Sequence, residues 1–129
     1  MEQWESEGYV LAVRAYGETD AIVTVMTPDQ GRHAGLVKGG QGRRQAPNLQ
    51  LGNQVSVQWQ ARELDSLGRF SVELTKARAA LVLGDRARLT ALQAFSGLFH
   101  LVLPERAPYR ALYDGGLAWL DLLSGPHWA

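Results

Sequence analysis

Residues 54–62 read QVSVQWQAR, and their alternation decides the fold. Val55, Val57, Trp59 and Ala61 fall on one parity; Gln54, Ser56, Gln58, Gln60 and Arg62 fall on the other. A period of two marks a half-buried strand, because successive side chains point to opposite faces. Phe70, Val72 and Leu74 repeat the pattern against Ser71, Glu73 and Thr75, beyond a loop predicted at Asp65-Ser66-Leu67-Gly68. Parity favours core over a base-stacking platform for Trp59, and gives Tyr9 and Phe70 core positions too. Tyr16 and His33 read as freer aromatic side chains.

Three more strands lie upstream. EGYVLAVRAYG (7–17) carries apolar and small residues on both faces, as a highly curved or doubly covered strand would. TDAIVTVMT (19–27) follows a hairpin about Gly17-Glu18, and Pro28-Asp29-Gln30-Gly31 is a strong turn signal before GRHAGLVKGG (31–40). APNLQLGN (46–53) is irregular. Five short alternating strands fit a small closed barrel better than an open sheet, since closure removes unpaired edges. The prediction is a five-stranded OB-fold β-barrel over residues 1–80, followed by an α-helical segment over 81–129, α+β overall.

The helical segment begins where β-branched residues give way to Leu and Ala, near Ala77. Gly84-Asp85 offers an N-cap. Leu89, Leu92, Phe95, Phe99 and Val102 then recur at spacings of three and four until Pro104. A second helix is predicted from Pro108, with Tyr109, Leu112, Tyr113, Leu117 and Leu120 on one stripe and Gly125-Pro126 as its stop. Helices this apolar either fold against the barrel or begin a longer helical domain. Trp4 and Trp128 lie near the termini; Trp128 is either frayed or padding for an apolar face.

At 129 residues and 46% apolar, the chain has enough hydrophobic material for one ordinary core. It has no cysteine, which excludes disulfides and thiol catalysis and removes the commonest zinc ligands. MEQWESEGYV shows neither a basic leader nor an apolar signal region, and no apolar run approaches the roughly 18–20 residues of a membrane span. A soluble cytosolic protein is the expectation. Net charge is zero, yet the charges are segregated: residues 1–29 hold six acids against Arg14, and residues 30–62 hold Arg32, Lys38, Arg43, Arg44 and Arg62 with no acid. Such a stretch is an electrostatic footprint, because ordinary surfaces intersperse both signs.

GLVKGGQGRRQ (35–45) invites a phosphate-cradle reading. A P-loop needs its lysine after the glycines and a hydroxyl next to it; here Lys38 comes first and no Lys-Ser or Lys-Thr follows. A dinucleotide loop needs a helix behind it, whereas strands surround this one. What survives is a flexible loop whose amides and two guanidiniums could meet phosphate oxygens, or one that needs glycine only for positive φ. The acidic pairs Glu5 with Glu7 and Glu18 with Asp20 sit at edges and turns. His33, His100 and His127 lack metal-ligand spacing, so neither a metal nor a cofactor is expected. No serine sits in a nucleophile elbow. Nothing reads as an active site.

Together WESEGYVLAVRAYGETDAIVTVMTPDQGRHAGLVKGGQGRR, LQLGNQVSVQWQAR and LGRFSVELTKARAA resemble the N-terminal part of the RecO family of bacterial DNA-repair and recombination-mediator proteins. The most specific pieces are Gly17-Glu18-Thr19, the run from Gly31 to Arg44, and Leu51-Gly52. The resemblance implies an OB-fold followed by a helical domain, and binding of single- and double-stranded DNA. It also implies strand annealing, and cooperation with RecR and single-stranded-DNA-binding protein when RecA is loaded, in a bacterial cytoplasmic, nucleoid-associated setting. Carried over by position, with the charge map, the candidate DNA-binding set is Arg14, Arg32, His33, Lys38, Arg43, Arg44 and Arg62. Family members with a four-cysteine zinc module are not matched in that respect. The chain also stops about halfway through a typical member, as a fragment or a shortened relative would, which weakens the expectation of binding single-stranded-DNA-binding protein. The expected function is non-enzymatic DNA binding; the alternative is a protein-interaction module docking partners through its apolar helices.

Overall fold

The computed structural model describes residues 2–63 and 66–126. His127, Trp128 and the Asp65 end of the predicted loop lie outside them. The elements run β1 (Glu2–Tyr16), β2 (Asp20–Thr27), β3 (Gly31–Val37), a 3₁₀ turn (Ala46–Leu49), β4 (Gln54–Ala61), β5 (Arg69–Lys76), α1 (Arg78–Val82), α2 (Arg86–Val102) and α3 (Arg110–Leu123). The strands close into a barrel in the order β1-β2-β3-β5-β4, the OB-fold expected from the alternation. Closure is made by the short parallel contact of Leu36 with Arg69, where the Leu36 amide donates to the Gly68 carbonyl at 3.0 Å.

The barrel core is the predicted parity set. Val55, Val57, Trp59, Ala61 and Phe70 are buried with Val10, Val23, Val25 and Val37. Leu74 departs from it: at the rim, beside a register shift at Gln54/Val55, it remains 38% exposed. β1 is longer than its apolar stretch suggested. Its polar start pairs with all of β4, Trp4 opposite Trp59, while its second half pairs with β2.

The mixed faces of β1 have a plain cause: it is doubly covered. Val10 points into the barrel core, while Tyr9 and Leu11 join a second core with Met26, Leu92, Tyr113, Leu120 and Leu123 beneath the helices. A β-bulge between Val10 and Ala12 resets the register there. The helices therefore fold against the barrel. Asp85 caps α2, its Oδ1 accepting from the Arg88 amide at 3.1 Å. The helix starts at Arg110 rather than Pro108, and its buried stripe is Tyr113, Gly116, Leu120 and Leu123; Tyr109, before the helix, and Leu112, off that stripe, stay exposed. Gly116 earns its place inside a helix by close approach, since a Cβ there would strike the Tyr9 hydroxyl. That hydroxyl donates to the Tyr113 carbonyl. Burial holds the Tyr9 hydroxyl well above its ordinary pKa and pushes Tyr113 up to about 12.

Arg78 and Asn53 are the polar joints between barrel and helices. Buried Arg78 reaches Asp121 at 2.6 Å, Gln54 at 2.8 Å and Ser124 at 3.2 Å, tying β4 to α3. Asn53 receives the Ala79 amide and donates to the carbonyls of Pro47 and Asn48. The helices still leave Leu81, Leu83, Leu98, Leu101 and Val102 exposed, Leu101 at 81%. No described helix is long and apolar enough to cross a membrane.

Candidate nucleic-acid interface

The outer face of β1, β2 and β3 follows from strand register. Arg14 lies opposite Ile22, which lies opposite Leu36; Leu36 in turn contacts Arg69 of β5. This row crosses four adjacent strands, so it spans about 14 Å at the usual interstrand spacing. The neighbouring row is Ala12, Thr24 and Ala34, and Arg32 lies one row further along, opposite Met26. Small and apolar residues thus form the floor, and arginines stand at its edges.

At one end the face meets the loop between α2 and α3. Here the Arg106 amide donates to the Arg32 carbonyl at 2.8 Å, and the Arg32 Nε donates to the Leu103 carbonyl at 2.8 Å. The Arg106 guanidinium donates to the Ser66 carbonyl at 2.7 Å and lies 5.3 Å from the centre of a Trp59 ring. A cleft of about 580 Å³ opens between face and loop, bringing Arg14, Arg32, Arg106, His100 and Glu105 together. At the opposite end, β3 runs out into the loop carrying Lys38, Arg43 and Arg44, all exposed. Arg62 is exposed after β4 and shares a shallow hollow with Arg69.

Two expectations need correction. The loop at 38–45 is not a free phosphate cradle, because the amides of its glycine stretch, residues 39–42, are occupied within the protein. The Gly39 amide donates to Asp20 Oδ1 at 2.8 Å, that of Gly40 to Val37, that of Gln41 to Thr19 and that of Gly42 to Gly39. The Gln41 side chain adds bonds to the carbonyls of Gly17 and Asp20, pinning the loop to the β1–β2 hairpin. Its guanidiniums are what it offers to solvent. Folding also sets Asp20 beside it, so the charge segregation of the sequence is partly mixed in space.

His33 is the second correction. It is 3% exposed, with its ring centre 4.7 Å from Trp59 and 5.0 Å from Trp4. Its parity is that of Gly35 and Val37, which face the barrel interior. Burial first, and then the Arg106 guanidinium, lower its pKa from 6.5 to about 4, partly offset by the Ala34 carbonyl and Glu105. It is a neutral core side chain at pH 7 and cannot serve as a surface cation.

A pH dependence follows. The unfolded chain takes up the His33 proton near pH 6.5 and the folded one only near pH 4. The stability contributed by neutral His33 is therefore complete above pH 6.5 and is lost as pH falls toward 4, by about 2–3 kcal/mol. Urea unfolding at pH 7.5 and pH 4.5 should show the loss, and His33→Phe should remove that share of it. An identical pH dependence in the variant would exclude His33 as the cause.

Arg69 and Arg106 were missed in the sequence. Arg69 carries the outward parity of Ser71 and Glu73, a signal that was present. Arg106 has no local signal: it reaches the face through a loop in which it adopts φ +59°. Among the described residues, no group of three or more His, Cys, Asp or Glu is placed to hold a metal ion.

Residues 1–78 match the family model described as "Recombination protein O N terminal". The chain belongs to the RecO family. It is 45% identical over 128 residues to a protein named DNA repair protein RecO from Cereibacter sphaeroides, covering 99% of this chain and 53% of that one. The corresponding protein from a Jannaschia species is 46% identical over 126 residues, covering 98% and 52%. The one from Dinoroseobacter shibae is 46% identical over 129 residues, covering 99% and 54%. The chain thus spans about half the length of the RecO relatives it matches. The segment matched by the RecO family model is the barrel, ending at the first residue of α1.

Proposed function

We propose that this chain is the DNA-binding barrel of a recombination-mediator protein, without catalytic activity of its own. The observation that carries the reading is the outer face of β1–β3, a small apolar floor edged by Arg14, Arg32, Arg69 and Arg106 and continued by the loop cations Lys38, Arg43 and Arg44. OB-folds that take oligonucleotides use the strand 2–3 face and its flanking loops. The chain's place in a family whose relatives are named for DNA repair supports the same reading.

Binding rests mainly on backbone phosphates and is only weakly sequence-dependent, since few aromatic rings are free to stack. Trp59 and His33 are buried, while Tyr16, at the end of β1, is an exposed ring. Neutralising two strands on one cationic surface lowers their mutual repulsion, which would promote annealing. Double-stranded DNA, RecR and RecA loading complete the reading as the family resemblance implies it. A second reading, partner docking through the helices, is favoured by exposed Leu98, Leu101 and Val102.

Fluorescence anisotropy with a labelled oligo-dT strand, titrated with salt, tests the DNA reading. Arg43→Ala combined with Arg44→Ala should make the log–log slope shallower by about 1.4, at about 0.7 per phosphate for single strands. An unchanged slope would remove the loop from the site and leave the helical docking reading ahead.

A further inference from the structure

Among the described residues, three guanidiniums, those of Arg14, Arg32 and Arg106, share the cleft between the barrel face and the α2–α3 loop, and one carboxylate, that of Glu105, stands with them. Glu105 Oε1 is 3.7 Å from Arg32 Nη1. The two sides of this contact differ in kind. The Arg32 side chain is only 12% exposed and is fixed through its Nε to the Leu103 carbonyl, whereas the Glu105 side chain is 64% exposed. Arg106 is likewise held, by the Ser66 carbonyl and the Trp59 ring. Held guanidiniums lose little freedom when they capture an anion, so they are preorganised for one. Glu105, largely in water and in a long contact, is weakly bound and free to swing away.

His100 adds no fourth cation at neutral pH, because burial and then Arg32 lower its pKa. Among the described residues, the cleft therefore sets two held guanidiniums, those of Arg32 and Arg106, and the exposed Arg14 around one displaceable carboxylate, whose oxygen sits where an oxygen of a phosphate would meet Arg32. Arginine pairs with carboxylate and phosphate through the same donor geometry.

We propose that this cleft is a phosphate site for the nucleic-acid backbone, and that Glu105 stands in for that phosphate in the unbound protein. The proposal rests on the DNA reading of the barrel face and adds to it a specific seat and a built-in competitor. Binding moves the carboxylate into solvent and transfers Arg32 to the strand; no covalent step is involved.

The test compares the wild-type chain with Glu105→Gln and Glu105→Ala against a fluorescein-labelled oligo-dT strand across a salt series. Glu73→Gln on β5, an acid outside the cleft, is the control for charge alone. Both Glu105 variants should bind about three- to tenfold more tightly at low salt, with the log–log slope unchanged, because Arg32 meets the same phosphate once the carboxylate is out of the way. Glu73→Gln should change affinity by less than about twofold. Thermal melts should coincide, since Glu105 is exposed; a shared loss of melting temperature with no gain in binding would assign Glu105 to structure and overturn the proposal. If the wild type binds but the Glu105 variants behave like Glu73→Gln, the phosphate seat is wrong and the DNA reading stands. If the wild type shows no salt-dependent binding, both fall.

Discussion

Replacing Trp59 by alanine should cost the chain about 4 kcal/mol, the largest loss expected from any single truncation here. Trp59 is 1% exposed and stacks on Trp4 with ring centres 5.7 Å apart. Its Nε1–H donates to the Leu67 carbonyl at 3.1 Å, and the Arg106 guanidinium lies over it. Gly68, at φ +74°, lies so close that a Cβ would collide with the indole. The truncation therefore opens a cavity, orphans a carbonyl and removes one wall of the His33 site. With that wall gone, the His33 pKa should move back up toward 6.5. Urea unfolding followed by far-UV circular dichroism measures the first effect and the shape of the stability–pH curve the second. A loss below about 1 kcal/mol would mean that Trp59 is not the plug of the barrel.

Gly31→Val should act through the backbone and should also exceed about 3 kcal/mol. Gly31 begins β3 at φ +69°, a left-handed conformation that a β-branched residue adopts only under strain. Space adds to the conformational cost. A Cβ at Gly31 would run into the backbone N, C and O of Ala107, in the loop that Arg106 ties to Arg32. The valine must either strain its own backbone against that loop or push the loop away. Hydrogen exchange separates this from general destabilisation: the Arg106 amide should lose protection before the barrel amides of β4 do. Retained protection at Arg106, with an unchanged midpoint, would show that the loop does not seat on β3 as described.

The barrel was legible because β4 and β5 face a core on one side and water on the other, so burial printed itself as alternation. β1 was legible only as an anomaly. Its two cores, one around Val10 and one around Tyr9 and Leu11, erase the period, although they leave the mixed composition that double covering demands. The polar opening of β1 carried no strand signal, since its partner is fixed by the long-range pairing of Trp4 with Trp59. The candidate interface divides along the same line. Lys38, Arg43 and Arg44 stood out because they are adjacent in an acid-free run. Arg106 reaches the face through tertiary contacts alone, and Asp20 reaches the basic loop in the same way. His33 was misplaced by its charge type, although its parity with Val37 already pointed inward.

The measurement that bears most directly on the cationic face is the salt dependence of single-strand binding by the unaltered chain. With Arg14, Lys38, Arg43, Arg44, Arg69 and the Arg62 region exposed, contact with four to six phosphates predicts a log–log slope of about −3 to −4. Anisotropy of a labelled oligo-dT strand between roughly 50 and 200 mM salt covers the range over which that slope is read. A slope near zero, or no binding at the low-salt end, would contradict a backbone-reading barrel.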